Sequence, residues 1–351
     1  MRRPMGMLAV TLVLATLALV MGCGSNSPAT SPGSSVGTAG KPPGTAYTVR
    51  NLLADWPDGI GLCPDDLNDS GQIACHGTKR ATGPYYHAVL WDNGHVTELP
   101  EPAGSQSSMS FSINAGGDIA GANGPQRHAL VWRAPDYGTP TDLHQPEAGW
   151  GISEAWGINA SGEVVGYWEK TYVYHGHYWN LAGGDSDIAG CIGGSDINDD
   201  GQVLGRTSGD YPAIWQRGGW GMTRLTLPSG YGGRGEHINA AGHVVGRMFT
   251  TGGTPKRAFL WDGSQVRDLG TLPGYEEAEA YGLNDADDVV GFAKHMGKNG
   301  LYTYKAFIWR NGVMSDLSAL AGTTVRFAYA INSNGQIAGE GPKGGLLLTP
   351  K

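Results

Sequence analysis

Apolar residues along this chain come in short consecutive runs rather than at helical spacing, and polar turn residues divide the runs at regular intervals. One phrase recurs seven times: an aliphatic residue, Asn, two variable residues, Gly, one variable residue and a short aliphatic pair. The copies begin at Asn68, Asn114, Asn159, Asn198, Asn239, Asn284 and Asn332, on average 44 residues apart, with Asp287 in the Gly place of the sixth. A second phrase, an apolar run ending in Trp, follows at Trp91, Trp132, Trp179, Trp215, Trp261 and Trp309. A third pairs an acid with Leu: Glu98-Leu99, Asp142-Leu143, Asp268-Leu269 and Asp316-Leu317.

Each phrase reads as β structure. Asn-x-x-Gly suits a tight turn, because Asn at its first position can bond the following backbone and Gly tolerates its last. Asn93-Gly94, Asp262-Gly263 and Asn311-Gly312 mark a second hairpin after the Trp. Every unit therefore predicts four short strands: before the Asn, after the Gly, ending at Trp and ending at the acid-Leu pair. Runs such as Val244-Val245 and Ala258-Phe259-Leu260-Trp261 are apolar at successive positions, as expected of sheets covered on both faces.

Four-stranded units of this length, each packed between neighbours, predict an all-β fold, a β-propeller of seven blades. Residues 47–351 supply 305 positions, close to seven units of 44. The seventh unit ends after Leu346-Leu347-Leu348-Thr349 without an acid-Leu strand, and Tyr47-Thr48-Val49-Arg50-Asn51-Leu52 resembles the missing one. The last blade is thus expected to be closed by the N-terminal strand, which removes two exposed sheet edges.

Composition agrees. Gly accounts for 58 of 351 residues, more than twice the usual share of about 7%, and with 20 Pro argues against long helices. The 11 Trp, 15 Tyr and 6 Phe are enough to build a core.

The first 22 residues read as an export signal: Arg2 and Arg3, then an apolar run from Met7 to Met21, too short to span a bilayer comfortably. Val20-Met21-Gly22-Cys23 resembles the lipobox of bacterial lipoproteins, which implies a diacylglyceryl group on Cys23 and cleavage before it; an ordinary signal peptide or an uncleaved anchor is the alternative. Residues 23–46 then form a Gly/Ser/Pro-rich tether that cannot support a core. Removing Arg2 and Arg3 leaves 22 basic against 32 acidic side chains. That balance argues against nucleic-acid binding, and against an electrostatic grip on anionic lipid. Membrane attachment is expected through the lipid alone, at the cell surface or in the periplasm.

From Asp268-Leu269-Gly270 through Ala280-Tyr281-Gly282-Leu283-Asn284, Val290-Gly291 and Ala306-Phe307-Ile308-Trp309 to Asp316-Leu317, the chain resembles the extracellular HAF repeat, named for the His-Ala-Phe opening its Trp strand. The resemblance covers nearly everything from residue 47. The His stands at His87 and His128, with Arg257 and Lys305 in its place elsewhere. The family implies a secreted or surface repeat protein and assigns no reaction.

Candidate chemistry is sparse. His87 and His128 occupy equivalent repeat positions. His175 and His177 could be two metal ligands but lack a third. Asp196, Asn198 and Asp200 before Gly201 fit the opening of a calcium loop, although its closing acid is absent. No other cofactor is expected. Cys63 and Cys75 flank Asn68 in a predicted hairpin and are expected to form a disulfide; Cys191 is expected as a buried thiol. Glu276, Glu277 and Glu279 read as a solvated acidic loop. An aromatic concentration, Trp150, Trp156, Trp168, Tyr172 and Tyr174, stands where other units carry small or polar residues, and suits a sugar or peptide surface; the acidic net charge points to a neutral glycan or a peptide rather than an anionic polymer. Two functions follow: a binding or scaffold module for a cell-envelope glycan or protein, or a carbohydrate-active lyase or hydrolase. Acids and a His converging at one channel mouth would favour the second.

Overall fold

The computed structural model describes residues 46–351, apart from Pro84, Pro125 and Thr251 and the side chain of Glu147. The expected signal, Cys23 and tether lie outside the described residues.

Seven four-stranded antiparallel sheets form a seven-bladed β-propeller. Blades 1 to 6 take residues 59–98, 107–142, 152–187, 193–224, 231–270 and 277–316. Blade 7 combines Phe327–Ile331, Ile337–Gly341 and Gly344–Pro350 with the N-terminal strand Tyr47–Asn51, which pairs from Tyr47 opposite Pro350 to Asn51 opposite Leu346. The termini share a blade, as the truncated last repeat predicted.

The repeated residues build this frame. Asn68 Oδ1 accepts from the Ser70 and Gln72 amides at 3.1 and 3.0 Å, and the Gly71 amide donates to Asn68 O at 3.0 Å. Gly71 adopts φ +81°; in blade 6 Asp287 takes the same left-handed place at +59°, a conformation acidic side chains tolerate better than most. The apolar runs serve both neighbours at once. Val164 packs with blade 2 residues such as Val131, while the adjacent Val165 packs with blade 4 residues such as Val203. The strand-ending Trp residues are buried, and Leu348 takes their place in blade 7.

The first strand of each blade lies innermost and touches its counterparts on both sides around the ring. Each carries a β-bulge three residues before its Asn, at Asp65, Phe111, Trp156, Ser195, Glu236, Tyr281 and Tyr329. In blade 3 the innermost backbone lies so close to the second strand that a Cβ on Gly166 would sit 1.9 Å from Glu154 O. Blade 1 has Cys75 at the corresponding position.

That register corrects the expected disulfide. Cys63 lies opposite His76, and Cys75 opposite Pro64, so the two cysteines project from opposite faces of the sheet. Cys75 is a free, fully buried thiol, and its pKa is pushed up by burial and by Asp65. The bulge at Asp65 is what a count along the hairpin does not include.

Candidate functional site at the central channel

A repeat separates the residues that make the frame from those that do not. Asn, Gly and Trp recur because every blade needs them. The bulge residues differ from blade to blade, as does the second-strand residue eight after each Asn: His76, Ala122, Tyr167, Arg206, Arg247, Phe292 and Glu340. Both sets lie on the inner strands, toward the channel end away from the Asn turns.

At blades 7 and 1 these residues bring acids and an imidazole together. His76 Nδ1 lies 2.8 and 2.9 Å from the two Asp65 carboxylate oxygens, and Ser110 of blade 2 donates to Asp65 at 2.9 Å. The His76 ring is 3% exposed, and its Nε2 is buried without a partner. Burial acts to lower its pKa, but Asp65 and Glu340 outweigh it and the net shift is upward. Tyr329 Oη donates to Glu340 at 3.2 Å. Burial raises the Glu340 carboxyl despite that bond.

Blades 5 and 6 form an ion-paired arc. Arg247 Nη1 lies 2.9 Å from Glu236, 3.1 Å from Glu279 and 3.0 Å from Tyr281 Oη, while Lys256 reaches Glu279 at 2.8 Å. The expectation of a solvated acidic loop is corrected here: Glu279 is 4% exposed. Glu277 pairs with Lys294 at 3.1 Å, and Glu276 with His295 at 2.8 Å.

The five predicted aromatic residues divide into three places. Trp156, a bulge residue, packs beside Phe111 of blade 2 at 5.4 Å and Tyr167 at 6.5 Å, and Tyr174 continues the row 5.4 Å from Tyr167. All four rings are half-buried. Beneath them the buried Glu154 carboxylate receives Arg127 Nε at 2.6 Å and Trp156 Nε1 at 2.9 Å. Trp150 and Trp168 instead stack on each other, 5.3 Å apart and 4° from parallel, with His175 on the far face of Trp168 at 4.1 Å. Tyr172 stands alone at a hairpin tip, 76% exposed. Sequence reasoning missed a second aromatic group in blades 6 and 7: Tyr281, Phe292, Tyr304, Phe327 and Tyr329 are in mutual ring contact.

Near the Asn turns the channel wall is polar. Asp66 accepts from the Ile113 amide at 2.9 Å and Ser112 Oγ at 3.0 Å; Asp196 accepts from the Ile238 amide at 2.9 Å and lies 2.8 Å from His237 Nδ1. Burial opposes protonation of His237, yet Asp196, Asp66 and Asp285 together raise its pKa to about 9. These contacts correct the calcium candidate. The Asp196 oxygens are spent on N–H donors, and Asn198 donates to Gln202 Oε1 and Asn239 O at 2.8 and 3.0 Å. Among the described residues no group of three or more His, Cys, Asp or Glu could hold a metal ion, Asp200 included.

The histidines singled out in the repeat strands have structural partners. His128 Nδ1 lies 3.0 Å from Asp142, and Lys305 lies 2.9 Å from Asp316 from the equivalent position, so in these two blades the place supplies a nitrogen partner to the acid of the acid-Leu strand. His87 pairs with Glu101 at 2.9 Å. His177 is buried, 2.7 Å from Asp187, and burial keeps its pKa low. Cys191 is buried as expected, its pKa pushed up to about 11.

Frame and lining together define a seven-bladed β-propeller with a non-repetitive channel mouth of aromatic and charged sectors. No protein-family model matches the chain, and no curated protein does so significantly. Solved structures share the fold. Oligogalacturonate lyase from Vibrio parahaemolyticus is similar over 86% of this chain and 93% of its own, with TM-score 0.59 and 10% identity. Virginiamycin B lyase from Staphylococcus aureus is similar over 87% and 99%, at 0.55 and 12%. YCF48 from Cyanidioschyzon merolae is similar over 87% and 98%, at 0.50 and 11%.

Proposed function

We propose that this chain is an exported, lipid-anchored binding module that takes a glycan or a peptide at the channel mouth. The observation that carries the reading is the split between frame and lining: the frame repeats, while the mouth gathers half-buried rings at Phe111, Trp156, Tyr167 and Tyr174 next to fixed charges. Flat rings supply contact area at low entropic cost, and neighbouring polar groups serve hydroxyls or amides. Export and anchoring rest on Arg2, Arg3, the apolar run and Val20-Met21-Gly22-Cys23, together with the resemblance to an extracellular repeat.

A carbohydrate-active lyase or hydrolase is the second reading, favoured by the Asp65–His76 pair beside Glu340 and Tyr329. A carboxylate that orients an imidazole is a usual way to prepare a base. Binding is preferred because His76 Nε2 is buried, whereas a base must reach the proton it removes. The fold accommodates both readings, since its structural neighbours include two lyases and a YCF48 bound to a peptide. The test is a panel of cell-envelope glycans and peptides on the full chain, read for retention and for product. Retention without product supports the module; product that disappears in His76→Gln supports the enzyme.

A further inference from the structure

Several guanidinium groups in this molecule are met closely by carboxylates. Arg50 makes two 3.0 Å bonds to Asp55, and Arg310 reaches Asp288 at 2.7 and 2.5 Å. Arg234, on the innermost strand of blade 5, breaks the pattern. Among the described residues its side chain makes no hydrogen bond, and its Nε is buried without a partner. The carboxylate within reach, Asp210, stands 4.0 Å away and is already engaged by Arg206 at 3.0 Å. Directly across the ladder from Arg234 is Arg247, which donates to Tyr281 and lies 2.9 Å from Glu236 and 3.1 Å from Glu279. Like charges set opposite one another in a sheet are destabilising, and a buried donor without an acceptor adds to that cost. Burial and the charges of Arg206 and Arg247 press the Arg234 pKa downward by more than Glu236 and Asp210 raise it. A quarter of its side chain remains open to solvent.

We propose that Arg234, flanked by Arg206, is the anchor of a carboxylate-binding site at the channel mouth of blades 4 and 5. The charge count sets the class. Arg206, Arg234, Arg247 and Lys256 face Asp210, Glu236 and Glu279, which leaves one positive charge in excess and suits a monoanion. The planar guanidinium fork matches a carboxylate in shape. The ligand is then an acidic sugar or an acidic peptide, held by its carboxylate here and by its body on the neighbouring rings. This inference rests on the reading of the mouth as a ligand site.

The test follows the Arg Nε–H resonances of the full chain by NMR, with Arg234→Gln assigning the Arg234 signal. Acetate and succinate are titrated at constant ionic strength, with inorganic phosphate as comparison. The expected result is a saturable shift of the Arg234 signal with both carboxylates. In Arg234→Gln, the accompanying Arg206 response should need roughly tenfold more acetate, with a melting temperature equal to or above that of the parent. An unmoved or linearly drifting Arg234 signal, saturation by phosphate alone, or a lower melting temperature in Arg234→Gln would each overturn the site. If that variant does not fold, the parent titration decides. A panel ligand that keeps its affinity in Arg234→Gln would refute the carboxylate site and leave the binding module standing. A saturable acetate shift with no ligand retained would do the reverse.

Discussion

The side-chain amide of Asn332 donates to the backbone carbonyl of Asn68 at 3.0 Å, joining the last repeat to the first across 264 residues. The same bond runs from each repeat Asn to the next around the ring: Asn68 to Asn114, Asn114 to Asn159, Asn159 to Asn198, Asn198 to Asn239, Asn239 to Asn284 and Asn284 to Asn332, at 2.9 to 3.2 Å. Each Asn therefore shapes its own turn through Oδ1 and ties its blade to the next through Nδ2, which explains why no other residue type substitutes.

Asn332→Ala should cost about 2 kcal/mol, because a buried bond is lost and the Asn68 carbonyl loses a donor. Asn332→Asp is the sharper variant: it keeps the turn acceptor but places a carboxylate oxygen against that carbonyl. Denaturant unfolding should find it at least as destabilising as Ala. An Asp variant with parental stability would show that the turn, not the ring of amides, sets the requirement.

Deletion of residues 47–53 should also open the ring. Tyr47 and Leu52 are buried at 4% and 0% exposure, and burial of two large apolar side chains is worth about 4 kcal/mol. With the edge left on Gly344–Pro350, calorimetry should find a melting temperature lower by roughly 10 °C. An unchanged transition would mean that blade 7 is stable with three strands.

The frame was legible because it repeats. Asn turns, Trp strands and the Asp-Leu phrase each recur, and their spacing alone counts the blades and sends the N-terminal strand to the last one. The lining was not legible for the complementary reason: Asp65, Trp156, Glu236 and Tyr281 share a structural place but no residue type. The bulge adds a second obstacle. It advances the inner strand by one residue, so strict alternation counted back from Asn68 misplaces Cys63 relative to Cys75. Trp156 and Tyr174 reached the mouth as the aromatic bias suggested, whereas Trp150 and Trp168 went to a stack that composition could not distinguish from it.

His237 makes stability depend on pH in a stated direction. Asp196, Asp66 and Asp285 raise its folded-state pKa to about 9 from an ordinary 6.5. Its charge therefore contributes stability that is fully present below pH 6.5 and is lost as pH rises through 9. The side chain is about a third exposed, so solvent screening keeps the contribution modest. Melting temperatures recorded from pH 6 to 10 should fall for the parent more than for His237→Gln. Parallel curves would mean that the imidazole has the same pKa folded and unfolded.

Cys23→Ser tests the proposed anchor. The proposed tether, residues 23–46, carries one charged side chain, Lys41, and offers no other grip on a membrane. The variant is expected either as uncleaved precursor or in the soluble fraction. Mature, membrane-bound Cys23→Ser protein would remove lipidation from the account.

The aromatic residues of blade 3 should separate by what they do. Trp168 is stacked between Trp150 and His175, and its Nε1 donates to Asp187 at 2.7 Å. Its replacement by Ala should lower stability by about 2 kcal/mol, less than for a fully buried Trp, and leave ligand retention intact under conditions where the protein remains folded. Trp156 and Tyr174 stand half-buried at the mouth, with Tyr167 between them. Changing both to Leu keeps an apolar wall but removes the flat faces, so retention of a glycan or peptide should fall while stability changes less than in Trp168→Ala. Paired thermal denaturation and binding measurements on the two variants decide the matter. If Trp168→Ala loses the ligand at unchanged stability while the Leu pair keeps it, the recognition surface belongs on the Trp150–Trp168 stack, outside the channel.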